Sequence, residues 1–474
     1  MKPMVPLTLA VALSVSGASA TVFAEGRGRR YIVVSKTEDR VEPSVLNQIR
    51  GAGGRVLRDL SSMGLVSVTS DNPSFARSVP DALAVAPDMQ MRAPKPLVIL
   101  GPDLTAAKRD PGPPNTNDDD FFFDLEWGIT ATDAQNGWKH NGRGKGAIVA
   151  VLDEGVDATH PDLAPNVRAD LSTSFAEDCS GNIEDWQPPA GFYFNHGTHV
   201  AGIIASADNS YGTIGVAPRA QIMAVDVLSR CLGYGLDSWI LDGIRYAADH
   251  GADVINMSLG SGPLDTRGAC DFYGCYTAED VENLRLAYSY AARYARHRGA
   301  LVIASAGNDA FDFGANPEFI QLPSDARGIL SISATAPLGW ALDPNHTFLD
   351  GQASYSNFGK GRIDFSAPGG DFMYPGNESC IVAGIEEPCW VFDLVFSTIP
   401  GGWSWAAGTS MAAPHAAGIA AQYIGAAHHH HKPSPSELEE KLRERADHPN
   451  GNWRRDPFYG YGRVDATERD QHRH

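Results

Sequence analysis

The sequence predicts a three-layer α/β protein in which helices cover both faces of a doubly wound, mostly parallel sheet, with a small α+β unit before it. Three observations lead to this prediction. Short apolar runs recur throughout residues 121–470, and each is followed by Gly or Asx and then by a stretch of helical periodicity. Residues 25–93 instead contain shorter, alternating segments. Regular strand–helix alternation is typical of parallel sheets.

The chain begins with a segment typical of a secretory signal peptide. Residues 1–24 combine a basic start at Lys2, an apolar run and then small residues, so cleavage is expected after Ala20 or Ala24. A membrane anchor is the alternative, but a spanning helix needs about 20 apolar residues. This run is shorter and interrupted by Ser and Gly, and no later segment is long and apolar enough. We therefore expect a secreted protein, extracellular or periplasmic, that is free of the membrane after export.

Two segments that differ in amino-acid composition follow. In residues 25–93, the apolar pieces YIVVS, GGRVLRDL, LVSVTS and ALAVAPD alternate with polar, helix-compatible ones, which predicts the α+β unit. Residues 94–120 are rich in Pro, Asp and Asn. Such a composition has little to bury and predicts an exposed linker.

The main domain, residues 121–470, carries the predicted sheet. Its strand candidates are almost continuously hydrophobic, as expected where helices cover both faces: AIVAVLD, AQIMAVDVL, ADVINMSL, ALVIASAGN and ILSISATA. LDSWILDGIRYAADHG and AEDVENLRLAYSYAARYARHRG have helical periodicity between them. In such sheets functional side chains gather at the carboxyl ends of the strands.

Charge and cysteine content narrow the function classes. The net charge is −19, divided into +4 within residues 1–110 and −23 in the remainder. So acidic a body disfavours nucleic acid and anionic membrane as partners. Six cysteines in an exported chain favour disulfides over metal ligands or a reactive thiol, although 15 connectivities are possible. The short loops Cys270–Cys275 and Cys380–Cys389 predict two local pairs, which leaves Cys179 with Cys231.

Three residues of the types that a nucleophilic serine needs lie at such strand ends and turns. Asp153 ends AIVAVLD, His196 opens HGTHVAGIIAS, and Ser410 lies in WAAGTSMAAPHAAGIAAQY at a turn-to-helix junction. A serine hydroxyl is a poor nucleophile until a neutral imidazole takes its proton, and a buried carboxylate holds that imidazole in the correct tautomer. Taken singly, each has a plainer interpretation as a turn, structural or helix-start residue.

The sequences around these residues resemble the three catalytic blocks of the subtilisin-like serine peptidases. The blocks are VAVLDEGVDATHPDL, NHGTHVAGIIA and GTSMAAPHAAG, in that family's chain order of Asp, His and Ser. The resemblance spans about Leu125 to Ala466 and implies a subtilisin-like fold. It also implies a triad of Asp153, His196 and Ser410, with His199 in a packing role.

Further segments extend the resemblance to the oxyanion hole and the substrate cleft. LVIASAGND resembles the family segment whose Asn donates to the oxyanion, which implies that role for Asn308, with the backbone N–H of Ser410 as second donor. NMSLGS and the GYG loop resemble strands that pair with extended substrate, a mode that favours broad specificity. The substrate-binding residues implied are Gly233, Gly235, Ser258, Leu259, Gly260, Ser305, Ala306 and Gly307.

Residues 25–93 resemble the family's inhibitory propeptide, through YIVV, GGRV and LVSVTS. The resemblance implies a unit that serves as folding template and inhibitor and is released by a cut in the linker, residues 94–120. An unrelated small domain is the alternative.

The family often binds structural Ca²⁺, and a site is implied here by analogy. Ca²⁺ takes 6–8 oxygen ligands. The matching positions are Asp162, Ala207, Asn209, Tyr211 and Thr213. Alone, the segment DNSYG would be interpreted as a surface turn. The four consecutive histidines from His428 to His431 are interpreted as a solvated loop after a helix.

Three stretches depart from the family pattern. Glu154 stands where Ser or Thr is common and adds a carboxylate that can shift the pH profile; the segment from Cys270 to Asp280 is unusual, as is the Trp-rich approach to Ser410, with Trp403 and Trp405. None of these removes a catalytic group.

The sequence therefore predicts a secreted serine endopeptidase that works through an acyl-enzyme, matured by removal of its propeptide. Its expected partners are protein or peptide substrates and its own propeptide; we expect a monomer with no catalytic cofactor. A catalytically inactive relative acting as a binding protein is one alternative. Another is an unrelated α/β hydrolase such as a lipase, but that would need a Gly-x-Ser-x-Gly turn and the order Ser, Asp, His.

Overall fold

The computed structural model describes residues 28–92, 97–98, 114, 116, 118–191, 193–271, 274–427, 432–451 and 454–467. The signal segment, most of the linker and the run His428–His431 lie outside the described residues. The helices span Pro43–Gly51 (α1), Trp127–Ala131 (α2), Ala134–His140 (α3), His196–Ala205 (α4), Asp237–Asp249 (α5), Ala278–His297 (α6), Thr409–Ala426 (α7) and Pro435–Arg445 (α8).

The strands are mostly short, and eight of them form the main sheet. They span Arg29–Val34 (β1), Arg55–Leu60 (β2), Leu65–Ser70 (β3), Ala84–Pro87 (β4), Gln90–Arg92 (β5), Leu97–Val98 (β6), Ile148–Asp153 (β7), Thr173–Ser174 (β8), Gln221–Asp226 (β9), Tyr234–Leu236 (β10), Val254–Met257 (β11), Pro263–Asp265 (β12), Gly268–Asp271 (β13), Gly274–Thr277 (β14), Leu301–Ser305 (β15), Phe319–Gln321 (β16), Ile329–Ala336 (β17), Gly351–Gln352 (β18), Phe365–Pro368 (β19), Ser379–Val382 (β20), Ile385–Pro388 (β21), Val395–Ile399 (β22) and Gly402–Ala407 (β23).

The main sheet has the order β18-β17-β15-β11-β7-β9-β8, with β19 also paired to β17. All its pairs are parallel except β17 with β18. Alternate residues of β7 enter different cores: Val149 and Val151 pack with α4 and α7, whereas Ala150 and Leu152 pack with α5 and α6. Helices thus cover both faces, and the predicted three-layer, mostly parallel fold is confirmed.

The N-terminal unit is a separate antiparallel sheet of order β2-β3-β1-β4. Its central strand β1 alternates in the same way. Val33 packs on α1 with Val45 and Ile49, while Ile32 and Val34 enter the core that contains α5 and α6. The unit therefore buries one face under its own helix and the other against the main domain.

The main domain contains three disulfides among its described residues: Cys179–Cys231, Cys270–Cys275 and Cys380–Cys389, with Cα–Cα distances of 5.6, 4.0 and 4.9 Å. This is the pairing that the sequence predicts. Among the described residues, no helix combines the length and apolar character needed to cross a membrane.

Candidate active site

Asp153 ends β7 at the centre of the main sheet, between β9 and β11. Both of its carboxylate oxygens lie 2.9 Å from Nδ1 of His196. Asp153 is completely buried, and His196 is almost so. A buried carboxylate bonded to Nδ1 selects the tautomer in which Nε2 is the free base.

His196 is the first residue of α4, which begins where the Asn195 side chain accepts the backbone N–H of Thr198 at 2.8 Å. The next residue has to be glycine, because a Cβ at Gly197 would lie 2.1 Å from the carbonyl oxygen of Gly155. Burial lowers the pKa of His196, but the charge and hydrogen bond of Asp153, with the charge of Glu154, outweigh burial and raise the pKa overall.

Glu154 points at the same helix start. Its Oε1 accepts the backbone N–H of His196 at 2.5 Å, while its carbonyl oxygen accepts from Asn195 Nδ2 at 3.0 Å and from Arg230 at 2.5 Å. Burial, with the charge of Asp153, raises the pKa of Glu154 to about 7, although His196 and Arg230 act in the opposite direction. The departure from the family pattern at this position therefore places a second carboxylate beside His196, bonded to its backbone N–H.

Ser410 is the second residue of α7, which packs against α4. Its hydroxyl donates to the carbonyl oxygen of Ser258 at 3.3 Å, and the Ser258 hydroxyl donates to the carbonyl oxygen of Ser410 at 2.8 Å. Nε2 of His196 has no hydrogen-bond partner among the described residues. Catalytic hydrogen bonds are often formed only when substrate binds.

The carboxamide of Asn308 has a fixed orientation. Its Oδ1 accepts the backbone N–H of Thr409 at 2.9 Å and the Thr409 hydroxyl at 2.7 Å. Its Nδ2 faces the turn before Ser410, because a Cβ at Gly408 would lie 3.3 Å from it. The amide N–H groups are thus available beside Ser410, as a donor to an oxyanion requires.

The predicted substrate-binding residues lie on three segments, and the segments after β11 and β15 contact the start of α7. Ser258, Leu259 and Gly260 follow β11; Ser305, Ala306 and Gly307 end or follow β15, which pairs with β11; Gly233 and Gly235 lie at β10.

Two short N-terminal strands pair with β10 and with β23, the strand that leads to Ser410. β5 pairs antiparallel with β10, with Met91 opposite Gly235, and β6 pairs antiparallel with β23, with Leu97 opposite Ala407. The side chain of Met91 is buried beside α5. The N-terminal segment therefore has extended pairings both at the β10 edge and three residues before Ser410.

The N-terminal unit also contacts the start of α5. Asp88 accepts the backbone N–H and the hydroxyl of Ser238 at 2.8 and 2.7 Å, and Arg58 forms an ion pair with Asp242 at 3.0 Å. Helix α5 has no side-chain cap of its own. A residue of the N-terminal unit thus caps a helix of the main domain.

The residues predicted to bind calcium lie together. Asp162 is buried; its Oδ2 accepts N–H groups from Thr213 and Trp403, both at 2.9 Å, whereas its Oδ1 has no partner among the described residues. The backbone N–H of Ala207 donates to the carbonyl oxygen of Asp162 at 2.8 Å, and Asn209 Nδ2 donates to that of Pro161 at 3.3 Å. A buried carboxylate oxygen that accepts no hydrogen bond is suited to bind Ca²⁺, so Asp162 Oδ1 fits the predicted calcium site.

Acidic residues at the end of the predicted linker adjoin this loop. Asp118, Asp119 and Asp120 each offer a carboxylate oxygen within 4.8 Å of the others, an arrangement that could hold a metal ion. Asp120 accepts the backbone N–H of Tyr211 at 3.0 Å and is only 4% exposed, so burial raises its pKa to about 7. The end of the linker is packed on the domain.

Sequence reasoning assigned no role to Arg230, Asp118–Asp120 or Asn357. Arg230 is buried against Glu184 and Asp226 and reaches the Glu154 carbonyl, and Asn357 is completely buried beside Asn308. In the sequence, Arg230 is marked only by the neighbouring Cys231, and Asn357 only by its segment ASYSNFG, residues 353–359. Neither signal shows which residues the fold brings together.

Known proteins resemble this chain in sequence and in fold. A profile of the Subtilase family matches residues 144–462. Subtilisin E of Bacillus subtilis is 30% identical over 366 residues, which is 76% of each chain. The extracellular basic protease of Dichelobacter nodosus is 30% identical over 426 residues, covering 83% of this chain and 60% of that protein. Fervidolysin of Fervidobacterium pennivorans is 28% identical over 439 residues, and the chain spans only 56% of fervidolysin's length.

Solved structures have the same fold. The crystal structure of fervidolysin, described as a keratinolytic enzyme related to subtilisin, matches with a TM-score of 0.64 at 25% identity over 93% of this chain and 61% of that one. An epidermin leader peptide processing serine protease from Staphylococcus aureus matches with a TM-score of 0.68 over 93% of this chain and 98% of that one. Its identity is 19%, so that likeness concerns the fold alone.

Proposed function

Since the chain belongs to the subtilase family, we propose that it is a secreted serine endopeptidase with Asp153, His196 and Ser410 as its catalytic triad. The observation that carries the proposal is the Asp153–His196 pair. Its 2.9 Å contacts occupy Nδ1 and leave Nε2 as the base, next to a helix whose second residue is a serine.

The chemistry follows from these positions. Nε2 of His196 takes the hydroxyl proton as Ser410 Oγ attacks the scissile carbonyl carbon, and Asp153 stabilises the imidazolium. The oxyanion accepts hydrogen bonds from Asn308 Nδ2 and the Ser410 N–H. Collapse transfers the proton to the leaving amine and leaves an ester on Ser410. Water, deprotonated by His196, then hydrolyses that ester and regenerates the serine.

Substrate is proposed to bind as an extended peptide along Ser258–Gly260 and Gly233–Gly235. The pairing of β5 with β10 supports this mode, because a stretch of this chain itself uses that edge. Main-chain hydrogen bonds are indifferent to sequence, which favours broad specificity.

Labelling with a fluorophosphonate tests the triad directly. The protein should be labelled at one serine and should hydrolyse peptides, and Ser410→Ala should abolish both. Ser333→Ala is a matched control, since Ser333 is equally buried but donates to the carbonyl oxygen of Phe458 in the core. Labelling that persists in Ser410→Ala would contradict the proposal.

Residues 25–93 are proposed to be the inhibitory propeptide, and residues 94–120 the linker that is cut. The cut is proposed to fall between Ala93 and Leu97, because the chain pairs with β10 before this stretch and with β23 after it. N-terminal sequencing of the mature enzyme tests this, and a first residue before Pro94 or after Leu97 would contradict it.

Secretion as a monomer and calcium binding complete the proposal. Three disulfides, together with the extracellular location named for the Dichelobacter nodosus relative, support export. We assign Ca²⁺ to Asp162 Oδ1, Asn209 and the loop carbonyls of Ala207, Tyr211 and Thr213, next to Asp118–Asp120. The ion would supply structural stability and take no part in the chemistry.

A further inference from the structure

Asn357 lies in the segment between β18 and β19 and is completely buried. Its carboxamide makes four hydrogen bonds, all to residues that flank Asn308. Nδ2 donates to the carbonyl oxygen of Ala306 and to Asp309 Oδ2, both at 3.1 Å. Oδ1 accepts the backbone N–H groups of Asp309 at 2.9 Å and Phe311 at 3.0 Å. Both donors and both acceptor positions of the amide are thereby used.

The main chain of Asn357 adds a fifth bond, from its N–H to the carbonyl oxygen of Gly307 at 3.0 Å. The two residues are in close contact, since a Cβ at Gly307 would lie 2.4 Å from Asn357 Nδ2. Gly307 has φ +100°, a conformation that only glycine adopts without strain. The backbone that enters Asn308 is therefore shaped around the Asn357 amide.

These side-chain bonds complete a short main-chain bridge between the same two segments, in which the Ala310 N–H donates to the carbonyl oxygen of Tyr355 at 2.7 Å and the Phe358 N–H donates to that of Phe311 at 3.0 Å. β15 ends at Ser305, so the N–H groups of Asp309 and Phe311 have no strand partner and would otherwise need another acceptor. Asn357 supplies it on one side of the loop. On the other side, Thr409 holds the Asn308 side chain through its N–H and hydroxyl.

From this geometry we propose that Asn357 is a positioning residue for the oxyanion hole: it holds residues 306–311 so that Asn308 Nδ2 points at the developing negative oxygen. Asn357 itself does not touch the substrate. The inference rests on the proposed function, because it assigns Asn357 a part in stabilising a transition state. The orientation of an oxyanion donor matters more in the transition state than in the bound substrate. A misoriented donor therefore lowers kcat and leaves KM nearly unchanged.

The test compares Asn357→Ala with a matched buried asparagine far from the site. Asn141 is 3% exposed and its amide bonds to the carbonyl oxygen of Ala466 and to Gln422, so Asn141→Ala removes a comparable structural contact. Active sites are counted with a fluorophosphonate, and kcat, KM and Tm are measured. We expect Asn357→Ala to lower kcat ~10–100-fold, within the loss caused by removing or misaiming one oxyanion donor. Asn141→Ala should lower Tm with kcat per active site unchanged.

A double-mutant cycle with Asn308→Ala identifies the route. If Asn357 acts through Asn308, Asn357→Ala should have little further effect on kcat when Asn308 is already Ala. Asn357→Asp is the second variant should the Ala protein not fold; it keeps the two acceptor bonds but sets a carboxylate against Asp309 and the Ala306 carbonyl.

Three outcomes would overturn the inference: kcat within about twofold of wild type in both Asn357 variants, a loss expressed in KM alone, or independent effects in the cycle. In each case the proposed function would still hold if the wild-type protein hydrolyses peptides and the Ser410→Ala variant does not. A wild type that neither hydrolyses peptides nor reacts at Ser410 would instead remove the function on which the inference rests.

Discussion

Replacing Glu154 by Gln should move the acidic limb of the kcat/KM profile to lower pH. The substitution keeps an oxygen that can accept the His196 N–H, which Glu154 Oε1 accepts at 2.5 Å, and removes only the charge. That charge favours the imidazolium and so raises the pKa of the catalytic base, as does Asp153. The limb of kcat/KM reports this base in the free enzyme.

The size of the shift follows from Coulomb's law. For an illustrative separation of roughly 6 Å and an effective dielectric constant of about 20–40, a unit charge stabilises an imidazolium by ~1.4–2.8 kcal/mol, or about 1–2 pKa units. Burial raises the pKa of Glu154 itself to about 7, so the carboxylate loses its charge as the pH falls through this value. We therefore expect an observed shift of about 0.5–1 unit.

The shape of the profile provides a second readout. As the pH falls in the wild type, protonation of Glu154 weakens proton binding by His196, so the limb should be broader than a one-proton curve. Glu154→Gln should give a one-proton limb, and Glu154→Ser should shift the limb in the same direction while also losing the acceptor. Asp185→Asn is the control, since Asp185 is a nearby carboxylate whose Oδ1 accepts from Gln187. A wild-type profile with the same midpoint and slope as Glu154→Gln would refute the reasoning.

Three further outcomes are expected. Ser410→Ala should leave the precursor uncut in a protease-free expression system, and release of its propeptide there would show that processing does not depend on this hydroxyl. Chelation of calcium should lower the thermal midpoint and speed autolysis, while initial rates at low temperature stay constant. The reason is that a ligand that binds only the native state adds ~2.7 kcal/mol to the free energy of unfolding at a hundredfold excess over Kd. Asp162→Ala should be insensitive to chelator, and identical wild-type melting curves with calcium and with chelator would argue against the site. Asp88→Ala should weaken inhibition by residues 25–93 added in trans roughly 2- to 30-fold, because the loss of a helix cap costs about 0.5–2 kcal/mol. Asp39→Ala, at an exposed position, should leave inhibition unchanged. Equal inhibition constants for the wild-type and Asp88→Ala units would mean that the cap at Ser238 contributes nothing.

The sequence predicted those features that are encoded locally. Continuous apolar runs such as AIVAVLD identified the buried strands, and a residue at the end of a parallel strand has its position fixed by the topology, as Asp153 shows. Short cysteine loops such as Cys380–Cys389 could pair only within narrow geometric limits, so their disulfides were also predictable.

Contacts between distant segments were not predictable in this way. The composition around Asp120 suggested a solvated linker, yet its carboxylate satisfies backbone N–H groups about 90 residues later. Asn357 is 46 positions from Phe311 along the chain, and nothing in its local pattern indicates that its amide replaces a strand partner. Such contacts depend on which loops the fold brings together, and local periodicity carries no information about that.

In the proposed maturation, the segment whose β5 pairs with β10 and whose β6 pairs with β23 is the enzyme's first substrate, and that substrate is part of its own chain. A tethered peptide meets its site at an effective concentration of the order of millimolar whatever the volume around it. The first cut should therefore follow first-order kinetics and proceed as fast in a dilute medium as in a crowded one. Once the tether is gone, retention of the severed unit depends on ordinary affinity, so dilution after export would itself release activity.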